Sequence, residues 1–404
     1  MPLGKNFPMP QGPSPSGSVR VKTLALSAIK GMAMRASAVE DVASLTWGVP
    51  SFQTPSGIRS AVDAALAHDI DAGKYTLPDG LPDLRDAIAA THVAQTGVNV
   101  CPAENVLVTA GNMQGVKVVL DTILNEGDEV IVTDPCFASH LQQIRLSGGV
   151  SIFWPLVESR GWSVDAEALG SLVTPKTRAI LIVTPSNPTG TIFKQRDLIR
   201  VAGLAKERGL LIIIDDPYSH FCYDDDGAYF NLASLKDYFD NIAYLFTFSK
   251  CHAMSGWRLG YAVVPARLKH EMLKVHDATL ICAPRPSQIA GIAALTGERD
   301  HLGAFRNELR KRRNLICERL DRMPHVFSYV RPKGAYYVFP RIETTQVNSE
   351  AFAIDLLDKA SVCVTPGAAF GPSGEHHVRM AFCVSEDVIN KAFDRMETYF
   401  GAGA

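Results

Sequence analysis

Past residue 55 the chain alternates short, continuous apolar runs with stretches of helical periodicity, and this alternation restricts the fold more than any other feature. The runs are Val106–Thr109, Glu129–Thr133, Ala179–Thr184, Leu210–Ile214, Ile242–Phe248 and Tyr261–Val264, rich in β-branched residues. A strand with one wet face alternates apolar and polar residues. A run that is apolar throughout is buried on both faces, as in a mainly parallel sheet covered by helices. The pattern therefore predicts an α/β domain over residues 56–299. From about Asp300 it changes to a long charged helix and then to mixed text, predicting a smaller α+β domain made of residues 300–404 and completed by 20–55. The arginines and lysine of that helix, Arg306, Arg310, Lys311, Arg312 and Arg313, read as a solvated face. Residues 1–19, rich in Pro, Gly and Ser, are expected to be disordered.

A net charge of -2 gives no bulk attraction to nucleic acid or an anionic membrane, and no apolar run approaches the ~20 residues that span a bilayer. The eight cysteines, at 101, 136, 222, 251, 282, 317, 363 and 383, include no C-x-x-C pair and no adjacent histidine ligand set. That argues against zinc and against a disulfide framework, and fits a reducing, cytoplasmic setting. Residues 1–39 contain Lys5, Arg20, Lys22, Lys30 and Arg35 but no acid, a pattern shared by organelle transit peptides and by a basic arm, Leu24 to Met34, packed on the fold.

Polar groups fall just beyond the ends of several runs, where an open α/β sheet presents side chains to a ligand. Lys250 follows Ile242–Phe248; an amine there can form an imine with a carbonyl if its surroundings keep part of it neutral. Thr247, Ser249 and Arg258 around it offer two hydroxyls and a guanidinium fork, a set suited to a phosphate dianion. Asp215 ends Leu-Leu-Ile-Ile-Ile, Asn187 follows the run ending at Thr184, and Gly111-Asn112-Met113 opens a helix running to Leu124. Each alone also fits a turn, a cap or a surface residue. Together they converge on one site.

These strings resemble the pyridoxal-phosphate-dependent aminotransferases of fold type I, class I/II, the aspartate aminotransferase family. The resemblance runs from about Arg20 to Phe400. It rests on Tyr75-x4-Gly80-x3-Leu84-Arg85, Ser186-Asn-Pro-Thr-Gly190, Asp215-Asp-Pro-Tyr218, Ser249-Lys250 with Met254-x-Gly-Trp-Arg258-x-Gly-Tyr261, Gly334-Ala-Tyr-Tyr337, and Val378-Arg379. It implies a mainly parallel, seven-stranded type of sheet in the large domain and pyridoxal 5'-phosphate as cofactor. Lys250 would hold the cofactor as an imine and then move a proton. Asp215 would keep the pyridine nitrogen protonated, so that the ring draws off electrons. Asn187 and Tyr218 would donate to the phenolic oxygen. Phe137 occupies the position of a stacking aromatic ring, where relatives often carry Tyr or Trp. The amides of Gly111, Asn112 and Met113, with Thr247, Ser249 and Arg258, would hold the phosphate, and Tyr75 would reach that of a neighbouring subunit, implying a homodimer with composite sites. Arg379 would grip the substrate α-carboxylate, with Gly48 and Trp47 at the same pocket.

The implied reaction moves the amino group of an L-amino acid to a 2-oxoacid, for which 2-oxoglutarate is expected, by a ping-pong mechanism. An α-carboxylate contact is blind to the side chain. Acid-specific relatives add a second cation; this chain has Met113 at one such place, and Arg285 near the other is read as a loop-surface arginine. Cys251 and His252 are read as packing. Rival readings are a carbon–sulfur β-lyase, a cyclopropane-forming synthase, and a cofactor-binding transcriptional regulator. The last needs a helix-turn-helix that the Pro-rich first fifty residues are too short to hold.

Overall fold

Seven strands build the central sheet in the computed structural model, which describes residues 17–22, 24, 28–223, 229–344 and 348–401. The disorder expected for residues 1–19 lies, up to residue 16, outside the described residues, and Val19 already opens a helical turn, Val19–Lys22. After a short β1 (Ala43–Ser44), the sheet strands are β2 (Val106–Thr109), β3 (Glu129–Asp134), β4 (Val150–Pro155), β5 (Thr177–Val183), β6 (Leu211–Asp216), β7 (Ile242–Thr247) and β8 (Gly260–Val263). They lie in the order β2-β8-β7-β6-β5-β3-β4, and only β8 runs against its neighbours. All six apolar runs of the sequence are strands of this sheet. The seventh, β4, is an edge strand: Val150 is exposed while Trp154 is fully buried, and its apolar run, Ile152-Phe-Trp154, is shorter than those of the inner strands.

Because the other six strands run the same way, their C-terminal ends share one edge of the sheet. Asp215 sits there on β6, in register with Val183 of β5 and Leu245 of β7. Past residue 300 come the helix Asp300–Asp321 and six short strands: β9 (Phe327–Ser328), β10 (Tyr337–Val338), β11 (Arg341–Ile342), β12 (Val362–Cys363), β13 (Thr365–Pro366) and β14 (Val378–Ala381). The N-terminal segment joins this part directly, since β1 pairs with β12 in parallel. Arg379 is carried on β14, between β10 and β13.

One expectation about the long helix is overturned. Arg306, Arg310 and Lys311 are solvated, but Arg312 and Arg313 are buried. Arg312 donates to Ser51 Oγ at 2.8 Å and to the Cys383 carbonyl at 3.1 Å; Arg313 donates to the Pro332 carbonyl and lies 5.3 Å from the Tyr223 ring centre. Neighbouring residues of a helix point about a quarter-turn apart, so one charged run spans both faces. The inner pair fastens the helix to loops at the site.

The turn after β5 is fixed by Gly190, whose φ is 69°. Its carbonyl accepts from the amides of Lys333 and Gly334 at 3.0 and 2.8 Å, tying the Asn187 turn to the strand that carries Tyr337. A Cβ there would meet Pro332, and would lie 2.8 Å from the Tyr337 carbonyl. Gly190→Ala combines an unfavourable φ with overpacking, and should cost about 2–4 kcal/mol of stability in denaturant unfolding. A loss below about 0.5 kcal/mol would show that this turn relaxes freely.

Candidate active site

A cavity of about 370 Å³ opens at the shared strand edge, between the turns after β5, β6 and β7, the helix Asn112–Ile123 and the segment Trp47–Val49. Its lining brings together Trp47, Gly48, Asn112, Met113, Phe137, Asn187, Asp215, Tyr218, Thr247, Ser249, Lys250, Arg258 and Arg379. These come from residues far apart in sequence.

Lys250 lies just past β7, and its Nζ donates to the Gly48 carbonyl at 2.7 Å. Burial lowers its pKa from 10.5 to about 8; Arg379 and Arg258 push the same way, while Cys383 and Asp215 oppose. The folded protein thus releases this proton more readily than the unfolded chain. The resulting cost to stability is full below about pH 8 and fades as pH rises toward 10.5. Trace acylation of Lys250 in the cofactor-free protein, followed by peptide mass spectrometry, should speed up about tenfold per pH unit and level off near pH 8. A curve still climbing at pH 10 would contradict the burial of this amine.

Asp215 is buried and held at both oxygens: Asn112 Nδ2 donates to Oδ1 at 2.6 Å, and His140 Nε2 lies 3.0 Å from Oδ2. His140 was not read from the sequence. Its signal is the spacing Phe137-Ala-Ser-His140 at the start of the helix Ala138–Leu146, which sets the two rings edge to face at 5.1 Å. Among the described residues His140 Nδ1 is buried without a partner.

At one end of the cavity the groups suit an anion. Thr247 Oγ1 donates to Ser249 Oγ at 2.9 Å, and Arg258 is steadied through the carbonyls of Ser255 and Ala110 at 2.9 and 3.3 Å. Gly111 precedes the helix Asn112–Ile123, whose first amides have no intrahelical acceptor. A Cβ on Gly111 would lie 2.8 Å from Arg258 Nη2, so the guanidinium occupies the space that any other residue would fill.

Arg379 is 2 % exposed. Its Nη1 donates to Asn187 Oδ1 at 3.1 Å and Nη2 to the Thr46 carbonyl at 2.5 Å, leaving Nε buried without a partner. The Tyr337 and Phe370 ring centres lie 4.4 and 5.0 Å from the guanidinium carbon. Tyr218 and Tyr337 share a hydroxyl contact of 3.0 Å; burial, then the neighbouring Tyr337, raises the Tyr218 pKa far above its usual value and keeps it a donor. Tyr336 donates to the same Gly48 carbonyl as Lys250, at 3.0 Å.

Two expected site residues stand outside the cavity lining. Gly111 lies behind it at the helix start, and Tyr75 is 76 % exposed on the surface of the chain. Arg285 is not the loop-surface residue expected: it begins the helix Arg285–Thr296, is partly buried, and pairs with Asp69 at 3.0 Å. Cys251 and His252 are buried as expected for packing, with the thiol pKa pushed up by burial and His252 Nδ1 2.9 Å from His301 Nε2.

The donor set fits a phosphorylated pyridine aldehyde: an anion cup, a carboxylate for a ring nitrogen, and an amine of lowered pKa. Comparison with known proteins agrees. The family model for aminotransferases of class I and II matches residues 40–396. An aspartate aminotransferase of Pyrococcus abyssi is 36% identical over 364 residues, 90% of this chain and 92% of that one. Aromatic-amino-acid aminotransferase 2 of Thermococcus litoralis is 34% identical over 386 residues, 94% of this chain and 97% of its own. The aspartate aminotransferase of Thermus thermophilus solved with maleate superposes with a TM-score of 0.89 at 31% identity, covering 95% of this chain and 99% of that one.

Proposed function

The chain belongs to the class I and II aminotransferases, pyridoxal 5'-phosphate-dependent transaminases, and on that basis we propose that it passes the amino group of an L-amino acid to 2-oxoglutarate in two half-reactions. The observation that carries this reading is the opening of Lys250, Asp215 and Arg379 into one cavity.

Bound pyridoxal 5'-phosphate supplies a carbonyl that captures amines and a ring that draws off the electrons left when the substrate Cα loses its proton. Lys250 would anchor the cofactor and, once free, carry the proton from Cα. A pKa of about 8 leaves a useful neutral fraction near pH 7, and the Gly48 carbonyl orients the amine. Asp215, fixed by Asn112 and His140, would hold a proton on the ring nitrogen. Tyr218 and Asn187 would donate to the phenolic oxygen, and Phe137 would lie against the ring. Thr247, Ser249, Arg258 and the amides of Gly111, Asn112 and Met113 would bind the phosphate, where the helix dipole favours an anion. Arg379, braced by Asn187 and Thr46, binds the α-carboxylate. The Tyr337 and Phe370 rings exclude water beside it, and Trp47 and Gly48 wall the pocket.

The molecule divides into a large domain, residues 56–299, and a small one, 20–55 with 300–404. Its eight free thiols suit a reducing cytoplasm. Exposed Tyr75 serves the phosphate cup of a second copy, making a homodimer with shared sites. Mixing Lys250→Ala with Tyr75→Phe subunits should then restore activity above either variant alone, and no recovery on verified subunit exchange would contradict sharing. The reading as a whole is tested by assaying each proteinogenic amino acid with 2-oxoglutarate. Glutamate should form from at least one donor besides itself; its absence from every reaction would overturn the proposed acceptor.

A further inference from the structure

The cavity has one charge more than the proposed reaction uses. Among the described residues its lining holds a single carboxylate, Asp215, and four cations: Lys30, Lys250, Arg258 and Arg379. In the proposed function Arg258 faces the cofactor phosphate, Lys250 its carbonyl and Arg379 the α-carboxylate. Lys30 is left over.

Its placement is constrained. The helix Ala28–Ala36 is fixed by Met32 and Ala36, which are buried, and the Met32 carbonyl accepts from Cys363 Sγ at 3.7 Å, at β12. Ile29 packs on the core, and Ile29 and Lys30 in the first turn line the cavity beside Trp47 and Val49. A cation in the first turn opposes the helix dipole, and this first turn has no acidic residue to offset it. Among the described residues Lys30 makes no ion pair or hydrogen bond. Indeed the segment up to residue 39 contains no acid at all. Lys30 is exposed at the wall of the cavity, so its ammonium is held by water alone and is free to meet an anionic group that enters. Arg285, the alternative cation, is already neutralised by Asp69.

We propose that Lys30 is a specificity-determining residue, whose ammonium receives the side-chain carboxylate of dicarboxylic substrates: aspartate or glutamate as donor, 2-oxoglutarate as acceptor. The inference rests on the aminotransferase reading. A lysine suits this task because a point charge on a flexible stem can follow four- and five-carbon substrates alike. Each dicarboxylate then meets two cations, Arg379 at the reacting end and Lys30 at the other, and monocarboxylic amino acids meet only the first.

The test compares the holoenzyme with its Lys30→Gln and Lys30→Arg variants. For Lys30→Gln the ratio of kcat/KM for aspartate over that for alanine should fall about tenfold or more, and KM for 2-oxoglutarate should rise similarly; Lys30→Arg should retain most of the ratio. Succinate, a dicarboxylate without an amino group, should bind Lys30→Gln about tenfold more weakly by calorimetry, and its affinity for the unaltered enzyme should drop with added salt. An unchanged ratio, or an equal loss for aspartate and alanine, would overturn the assignment. If the unaltered protein transfers no amino group from any amino acid, the aminotransferase reading fails instead, and succinate binding alone decides whether Lys30 reads a dicarboxylate.

Discussion

Lys250→Ala abolishes the borohydride-fixable bond between protein and cofactor and lowers turnover by at least about 10⁴-fold, because one substitution removes both the covalent anchor and the proton carrier. The fold should persist. Among the described residues the one hydrogen bond of Nζ is to the Gly48 carbonyl, which keeps Tyr336 as a donor, and the substitution also relieves the burial of an ammonium. Circular dichroism and the unfolding midpoint check this. Peptide mass spectrometry after borohydride reduction of the unaltered protein should find the label on Lys250. Label on Lys30 instead, the other lysine of the cavity, would show that the anchor has been misplaced.

Arg379→Ala should depress kcat/KM for alanine, aspartate and phenylalanine alike by roughly two to four orders of magnitude, since removing one partner of a desolvated charge pair typically costs about 3–5 kcal/mol. The breadth of the loss follows from the geometry. The guanidinium is fixed by Asn187 and Thr46 between two aromatic rings, so it addresses the invariant end of the substrate rather than the side chain. Arg379→Lys should recover only part, because an ammonium cannot make two parallel hydrogen bonds to one carboxylate. A loss confined to dicarboxylic substrates would move the α-carboxylate to another cation and exchange the roles given to Arg379 and Lys30.

Much of this was legible in the sequence because the groups that act are those that follow buried strands. Asp215, Asn187 and Lys250 each stand at or just past the end of a continuous apolar run, and such runs have a single reading in an α/β sheet. What the sequence hid has a common cause. Edge strand β4 is buried only at Trp154, its other residues being partly or fully exposed, and its apolar run, Ile152-Phe-Trp154, is too short to stand out. Arg312 and Arg313 sit inside a charged run whose helical phase decides burial, and composition carries no phase. His140 and Lys30 belong to helices with no punctuation of their own, and each gains its role from an element distant in sequence: β6 for His140, and for Lys30 the cavity that β6 and β7 help to form. Tertiary placement, which residue type alone does not encode, made these two visible.

The most direct measurement of the central claim is a single turnover without an acceptor oxoacid, using the best donor found in the amino-acid assay with its nitrogen isotopically labelled. Transamination predicts one equivalent of the corresponding oxoacid per active site, the labelled nitrogen retained on the protein's cofactor, and its appearance in glutamate only when 2-oxoglutarate is added. Continued release of labelled ammonia with pyruvate, in amounts exceeding the enzyme, would contradict amino transfer and identify elimination as the reaction these residues perform.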